Sequence, residues 1–196
     1  MDPKKSAFNN TITGLLYSFL AAFFFIACWV PPATAQLQSN KIELSLGASL
    51  GLAPALTYGN SEDSGALLNL FGDLRYQNVL GKLQFTYVLA NTLENESFSN
   101  GYGFFGALGY ALPVNDRIEV PLMAIGGASI ISYNAQGNFK DVSPQVGFAL
   151  TPLYQINESL SLYTSLRYLK GFKGSEDSDP IDVMDLTVGI RITLTK

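Results

Sequence analysis

The chain has 196 residues, 47% of them apolar and only 14% charged, with a formal charge of -4, no histidine, one cysteine and one tryptophan. A Ser/His nucleophile pair is therefore excluded, and the acidic balance argues against nucleic acid as a partner. Cys28 and Trp29 both lie in the opening segment, so the rest of the chain has no disulfide to lean on and must gain its stability from sheet closure and burial.

That opening segment has the organisation of an export signal. Lys4 and Lys5 precede an apolar stretch from Ile12 to Val30, then Pro31, Pro32 and the small-x-small triplet Ala33-Thr34-Ala35. We place cleavage after Ala35, giving a signal peptide at 1–35 and a single domain at 36–196. The apolar stretch is long for a signal, so an uncleaved anchor is the alternative reading. Without residues 1–35 the chain holds ten basic and fifteen acidic side chains. No later apolar run is long enough for a membrane helix.

Eight extended segments follow, predicted at Ile42 to Tyr58, Ala66 to Gln77, Lys82 to Thr92, Gly101 to Leu112, Ile118 to Tyr133, Pro144 to Ile156, Leu160 to Phe172 and Val183 to Leu194. Their connections alternate between longer polar stretches and tight turns, the pattern of an up-and-down meander with long loops at one rim. The segments also alternate along their length. Ile42, Leu44, Leu46, Leu50 and Leu52 oppose Glu43, Ser45, Gly47, Ser49 and Gly51 in the first, and Met184 to Leu194 oppose Asp185 to Thr193 in the last. The fifth is the least regular: Met123 and Ile125 fall on the otherwise polar face, and Pro121, which lacks a ladder donor, predicts a bulge or bend.

Two architectures share this pattern. A lipocalin-like soluble barrel turns its oily face inward around a ligand, and an outer-membrane barrel turns it to lipid. Charge supply favours the second. Most carboxylates lie in the connections, as at Glu62, Asp63, Glu94, Glu96 and Asp141, and the polar strand faces carry mainly Gly, Ser, Thr and Ala. Tyrosines near strand ends, such as Tyr58, Tyr76, Tyr110 and Tyr168, match interfacial girdles.

The whole segment 36–196 resembles the small eight-stranded outer-membrane barrels of Gram-negative bacteria, the group of OmpX and the OmpA membrane domain. Its one local motif runs from Thr187 to Leu194 and is similar to that family's C-terminal assembly signal, with Thr187, Gly189, Ile192 and Leu194 as the spaced positions. The family usually ends on an aromatic residue; here Leu194 holds that place and Thr195-Lys196 follow. The resemblance implies an all-β, eight-stranded antiparallel up-and-down transmembrane β-barrel preceded by a cleavable signal peptide. It further implies location in the cell outer membrane with both termini periplasmic, and a monomer. The implied partners are the lipid bilayer, lipopolysaccharide and the outer-membrane insertion machinery.

In that barrel the predicted inward charges are Glu43, Asp73, Arg75, Glu119, Arg167, Asp185 and Arg191, a near-balanced set suited to pairing, and a Glu43–Arg191 pair is expected across the closure seam. Phe71, Phe105, Met123, Leu153 and Tyr163 are expected to fill the remaining space, giving a structural plug. No catalytic, cofactor or metal site is predicted. The acidic loop 173–182 reads as a solvated rim, with divalent-cation binding as its alternative. The resulting function is a non-enzymatic envelope-integrity or surface-interaction barrel; a narrow pore for small or hydrophobic solutes and a soluble periplasmic carrier remain open.

Overall fold

The computed structural model describes residues 42–58, 61–90, 98–133, 139–176 and 178–195. The predicted signal peptide and its cleavage position lie outside these residues. Nine strands appear in order: β1 Ile42–Tyr58, β2 Ser61–Tyr76, β3 Val79–Ala90, β4 Phe98–Pro113, β5 Ile118–Tyr133, β6 Phe139–Leu150, β7 Leu153–Gln155, β8 Leu160–Gly171 and β9 Ile181–Thr195. Sequence neighbours pair antiparallel, and β1 pairs with β9 to close the sheet. β6 and β7 form one stave, because both pair with β5 and with β8 in a single unbroken register. The fold is therefore a closed barrel of eight staves.

Period-two alternation explains which side is which. Leu46, Leu50, Leu83, Leu108, Phe148 and Val188 are outward and exposed, whereas Ser45, Ser49, Asn69, Thr86, Gln145 and Thr187 are inward and buried. This inverts the usual solvent-facing pattern of a soluble barrel: the oily face is the outside.

The prolines act differently from expectation. Pro121 causes no bulge: Ala111 and Thr151 sit opposite it on the flanking strands, and the register with β4 and β6 does not shift. Its carbonyl accepts from Thr151 N at 3.0 Å, so the missing N–H costs half of one bonded pair and no residue. Pro152 does the same toward β8, accepting from Thr164 N, and this weakened stretch separates β6 from β7. A register shift falls instead in β1, between Ala53 and Leu56 against β2 and between Leu52 and Ala55 against β9. The extra residue lets Ala53 and Leu56 both face inward.

Turn chemistry sets the rim at which β1 begins, at Ile42, and β9 ends, at Thr195. Asn115 Oδ1 accepts from the N–H groups of Arg117 and Ile118, and Asn157 Oδ1 accepts from those of Ser159 and Leu160. Asn157 is thus a turn former. The predicted turn over Asn78 to Gly81 is in fact the two residues Gln77 and Asn78; Gly81 lies within β3, opposite Leu74. Gln77 takes a left-handed φ of 55°, and its carbonyl accepts from Arg75 Nε. At the opposite rim, β1 and β2 pair as far as Tyr58 and Ser61, so much of the predicted first loop is strand.

Candidate functional site

The inward faces of all eight staves converge on one lumen, and its contents change with depth. Nearest the loop rim, Leu56, Leu67, Leu169, Ile181 and Val183 form an apolar layer. β6 reaches across β8 to this layer: Gln145 Nε2 donates to Ile181 O at 2.6 Å, and Ile181 N donates to Ser143 Oγ at 3.1 Å. Ser129 Oγ donates in turn to Gln145 Oε1.

Below it lies a polar layer. Asn69 Oδ1 accepts from Gln84 Nε2 and Thr86 Oγ1, while Asn69 Nδ2 donates to Ser49 Oγ. Arg167 joins by donating Nη1 to Thr86 and Nε to Asp185 Oδ2, the latter at 2.7 Å, and its guanidinium lies 5.1 Å from the Phe105 ring centroid. Both members of the Arg167–Asp185 pair are almost wholly buried.

Deeper still, Phe71 and Tyr163 meet edge to face with centroids 5.3 Å apart. Beside them Arg191 clamps Asp73, with Nη2 on Oδ1 at 2.7 Å and Nε on Oδ2 at 3.0 Å. At the rim of the chain ends, Arg75 Nη1 donates to both oxygens of Glu119, at 2.9 and 2.7 Å, and this pair is partly exposed. Among the described residues no buried side-chain polar atom lacks a partner.

Six of the seven charges read from the sequence as inward thus fall into three pairs, each reaching between non-adjacent or adjacent staves of the lumen. Glu43 does not join Arg191. The two strands place Gly47 opposite Arg191, and Glu43 is four residues further along β1, about 13 Å away. Gly47 puts no side chain on the lumen side of β1 between Arg191 and Asp73 of β2, and the Phe71 ring takes up the space, since a Cβ there would come within 2.2 Å of it. Phe71, Phe105, Met123, Leu153 and Tyr163 are all buried. Of the C-terminal motif, Thr187 and Gly189 face the lumen, and Ile192 and Leu194 are exposed on the outside. Gly189 is confined, since a Cβ would meet Ala48 O at 2.2 Å.

One lumen residue escaped the sequence reading. Lys82 shares a face with Gln84, Thr86 and Val88, and that parity alone would have placed it inside; its ammonium stands 4.3 Å from the Phe71 centroid and 5.7 Å from that of Tyr163. Where β8 and β9 meet the loop 172–180, Asp182 accepts from Lys170 Nζ and from Gly171 N, so it ties the two strand ends together. Asp177 lies outside the described residues.

No family model and no curated protein matches the sequence. Solved structures do. Neisserial surface protein A (NspA) superposes with a TM-score of 0.68 at 12% identity, over 79% of this chain and 99% of that one. Ail, the attachment invasion locus protein of Yersinia pestis, gives 0.51 at 12% identity, over 78% and 97%. A second Ail structure, in complex with the heparin analogue sucrose octasulfate, gives the same score at 8% identity. With these likenesses the closed eight-stave sheet, its oily exterior and its charged interior come together: the chain has the fold of the small eight-stranded outer-membrane β-barrels.

Proposed function

We propose that the protein is a non-enzymatic, monomeric integral barrel of the outer membrane, with both chain ends periplasmic and the longer loops outside the cell, acting in envelope integrity or surface contact. The observation that carries this reading is the filled lumen. Three arginine–carboxylate pairs, a hydrogen-bonded polar layer and an apolar layer occupy its depth in turn. Such an interior anchors the staves to one another and leaves the loops as the surface available to a partner. The inverted faces count against a soluble ligand carrier, because exposed leucines and valines ring the outside where such a carrier needs charge.

The loops differ from what a polyanion requires. Ail has been solved in complex with the heparin analogue sucrose octasulfate, whereas the connections here are acidic in sequence, at Glu94, Glu96, Glu176, Asp177 and Asp179. A neutral or cationic surface suits them better. The filled lumen is tested in planar bilayers: reconstituted protein gives no stable conductance above the bare bilayer. Stable, ohmic channel steps from the unmodified protein contradict the reading and favour a pore.

A further inference from the structure

Three prolines interrupt the ladders around β6 and β7. Each accepts a hydrogen bond from the residue that it faces and has no N–H to return. Pro144 of β6 faces Phe172, Pro121 of β5 faces Thr151, and Pro152 faces Thr164 of β8. Only the first gap is filled: Ser143 Oγ donates to Phe172 O at 2.9 Å, the carbonyl that an N–H at Pro144 would have reached. Among the described residues no side chain donates to Thr151 O or to Thr164 O.

The two unfilled gaps sit on adjacent residues of one stave and face opposite neighbours. Between β6 and β7 the stave has therefore lost one bond toward β5 and one toward β8 at the same height. Packing restores little of this, because an unfilled space of about 10 Å³ lies behind the break, walled in part by Pro121, Thr151, Leu153 and Tyr163. The Thr151 and Ser165 hydroxyls, 3.2 Å apart, tie the stave to β8 across it. Below the break come β7, Leu153–Gln155, and the Asn157 turn. This short strand holds part of the plug, since Leu153 packs with Phe71 and Tyr163 as the deeper apolar cluster. We propose that β7 is a hinged floor of the lumen: with its turn it swings from β5 about the Thr151–Pro152 break, drawing Leu153 out of the plug while β6 stays paired. The swing admits water to the Asp73–Arg191 clamp, which lines the same unfilled space.

The test is residue-resolved amide hydrogen exchange of the refolded barrel in detergent micelles, a readout that needs the closed sheet and is independent of the membrane reading. Gln155 N donates to Arg117 O at 2.7 Å across the β5–β7 seam, and Leu153 stands opposite Glu119. These amides are expected to exchange about tenfold faster than the paired amides of β2 and β3 at the same rim, between Asp73 and Lys82. Pro121→Ala returns a donor to Thr151 O and slows Leu153 and Gln155 by roughly two- to tenfold. Ile118 and Tyr154 stand directly opposite in a pair whose spacing suits a disulfide. The double variant Ile118→Cys with Tyr154→Cys exchanges fast when reduced, and at the β2–β3 rate when oxidised. Equal rates at the two hairpins of the unmodified protein, or fast exchange that survives either Pro121→Ala or oxidation of the cysteine pair, overturn the proposal. Should Pro121→Ala fail to fold, the oxidised and reduced forms of the cysteine pair decide alone.

Discussion

Asp73 and Arg191 show how far a single residue's position governs the lumen. Both are almost fully buried, so their attraction acts away from water, and neither can be removed without stranding the other. Asp73→Ala is expected to cost about 3–5 kcal/mol of stability in urea titrations in micelles, because the Arg191 guanidinium keeps its charge and loses its acceptor. The double variant Asp73→Leu with Arg191→Met should lose less than the sum of the two single changes, since it leaves no orphan. The inward facing of these charges was legible in the sequence, as strand parity alone sorts them. Their pairing was not. Partners 118 residues apart are matched by the stagger of the closed sheet and by the missing side chain at Gly47, and neither is written in the spacing of charges along a strand.

At the scale of the element, β9 carries both the closure and the packing of the seam. Its lumen-side Gly189 lies between Ser49 of β1 and Tyr163 of β8, with Ala48 O too near for any side chain. Gly189→Leu is expected to lower the fraction of protein that closes, read as loss of the heat-dependent shift in gel migration. Unchanged migration behaviour would show that the seam tolerates bulk. The β2–β3 turn makes the opposite kind of prediction. Gln77 holds a left-handed φ at a cost glycine avoids, so Gln77→Gly should stabilise the hairpin by about 0.5–1 kcal/mol, seen as a raised urea midpoint. Period-two alternation revealed the staves, but their ends were less visible. Ser61 to Ser64 extend β2 without any apolar alternation to announce it, and the β1 bulge spans Pro54 in a segment, Leu52 to Leu56, whose residues are all apolar. Parity signals fade where both faces carry the same kind of side chain.

The whole molecule is an inside-out barrel, and this is what the scarcity of strand charge had foretold. On the proposed membrane reading, lipid offers no partner for backbone groups, so the sheet closes on itself, and the face turned outward is predominantly apolar. A charge placed on that surface faces hydrocarbon: Leu50→Arg, near the middle of β1, should cost roughly 2–4 kcal/mol in bilayers, with the refolded fraction in lipid vesicles as the readout. The most direct test of the arrangement is a single-cysteine scan along β9 from Leu186 to Ile192, feasible because the only cysteine, Cys28, precedes the predicted cleavage position. With each cysteine carrying a fluorophore and the protein refolded into vesicles that hold a chain-attached quencher, labels at Leu186, Val188, Ile190 and Ile192 are quenched, and those at Thr187, Gly189 and Arg191 are spared. Quenching at the odd-numbered positions instead, or at none, would contradict the assignment of the oily face to lipid.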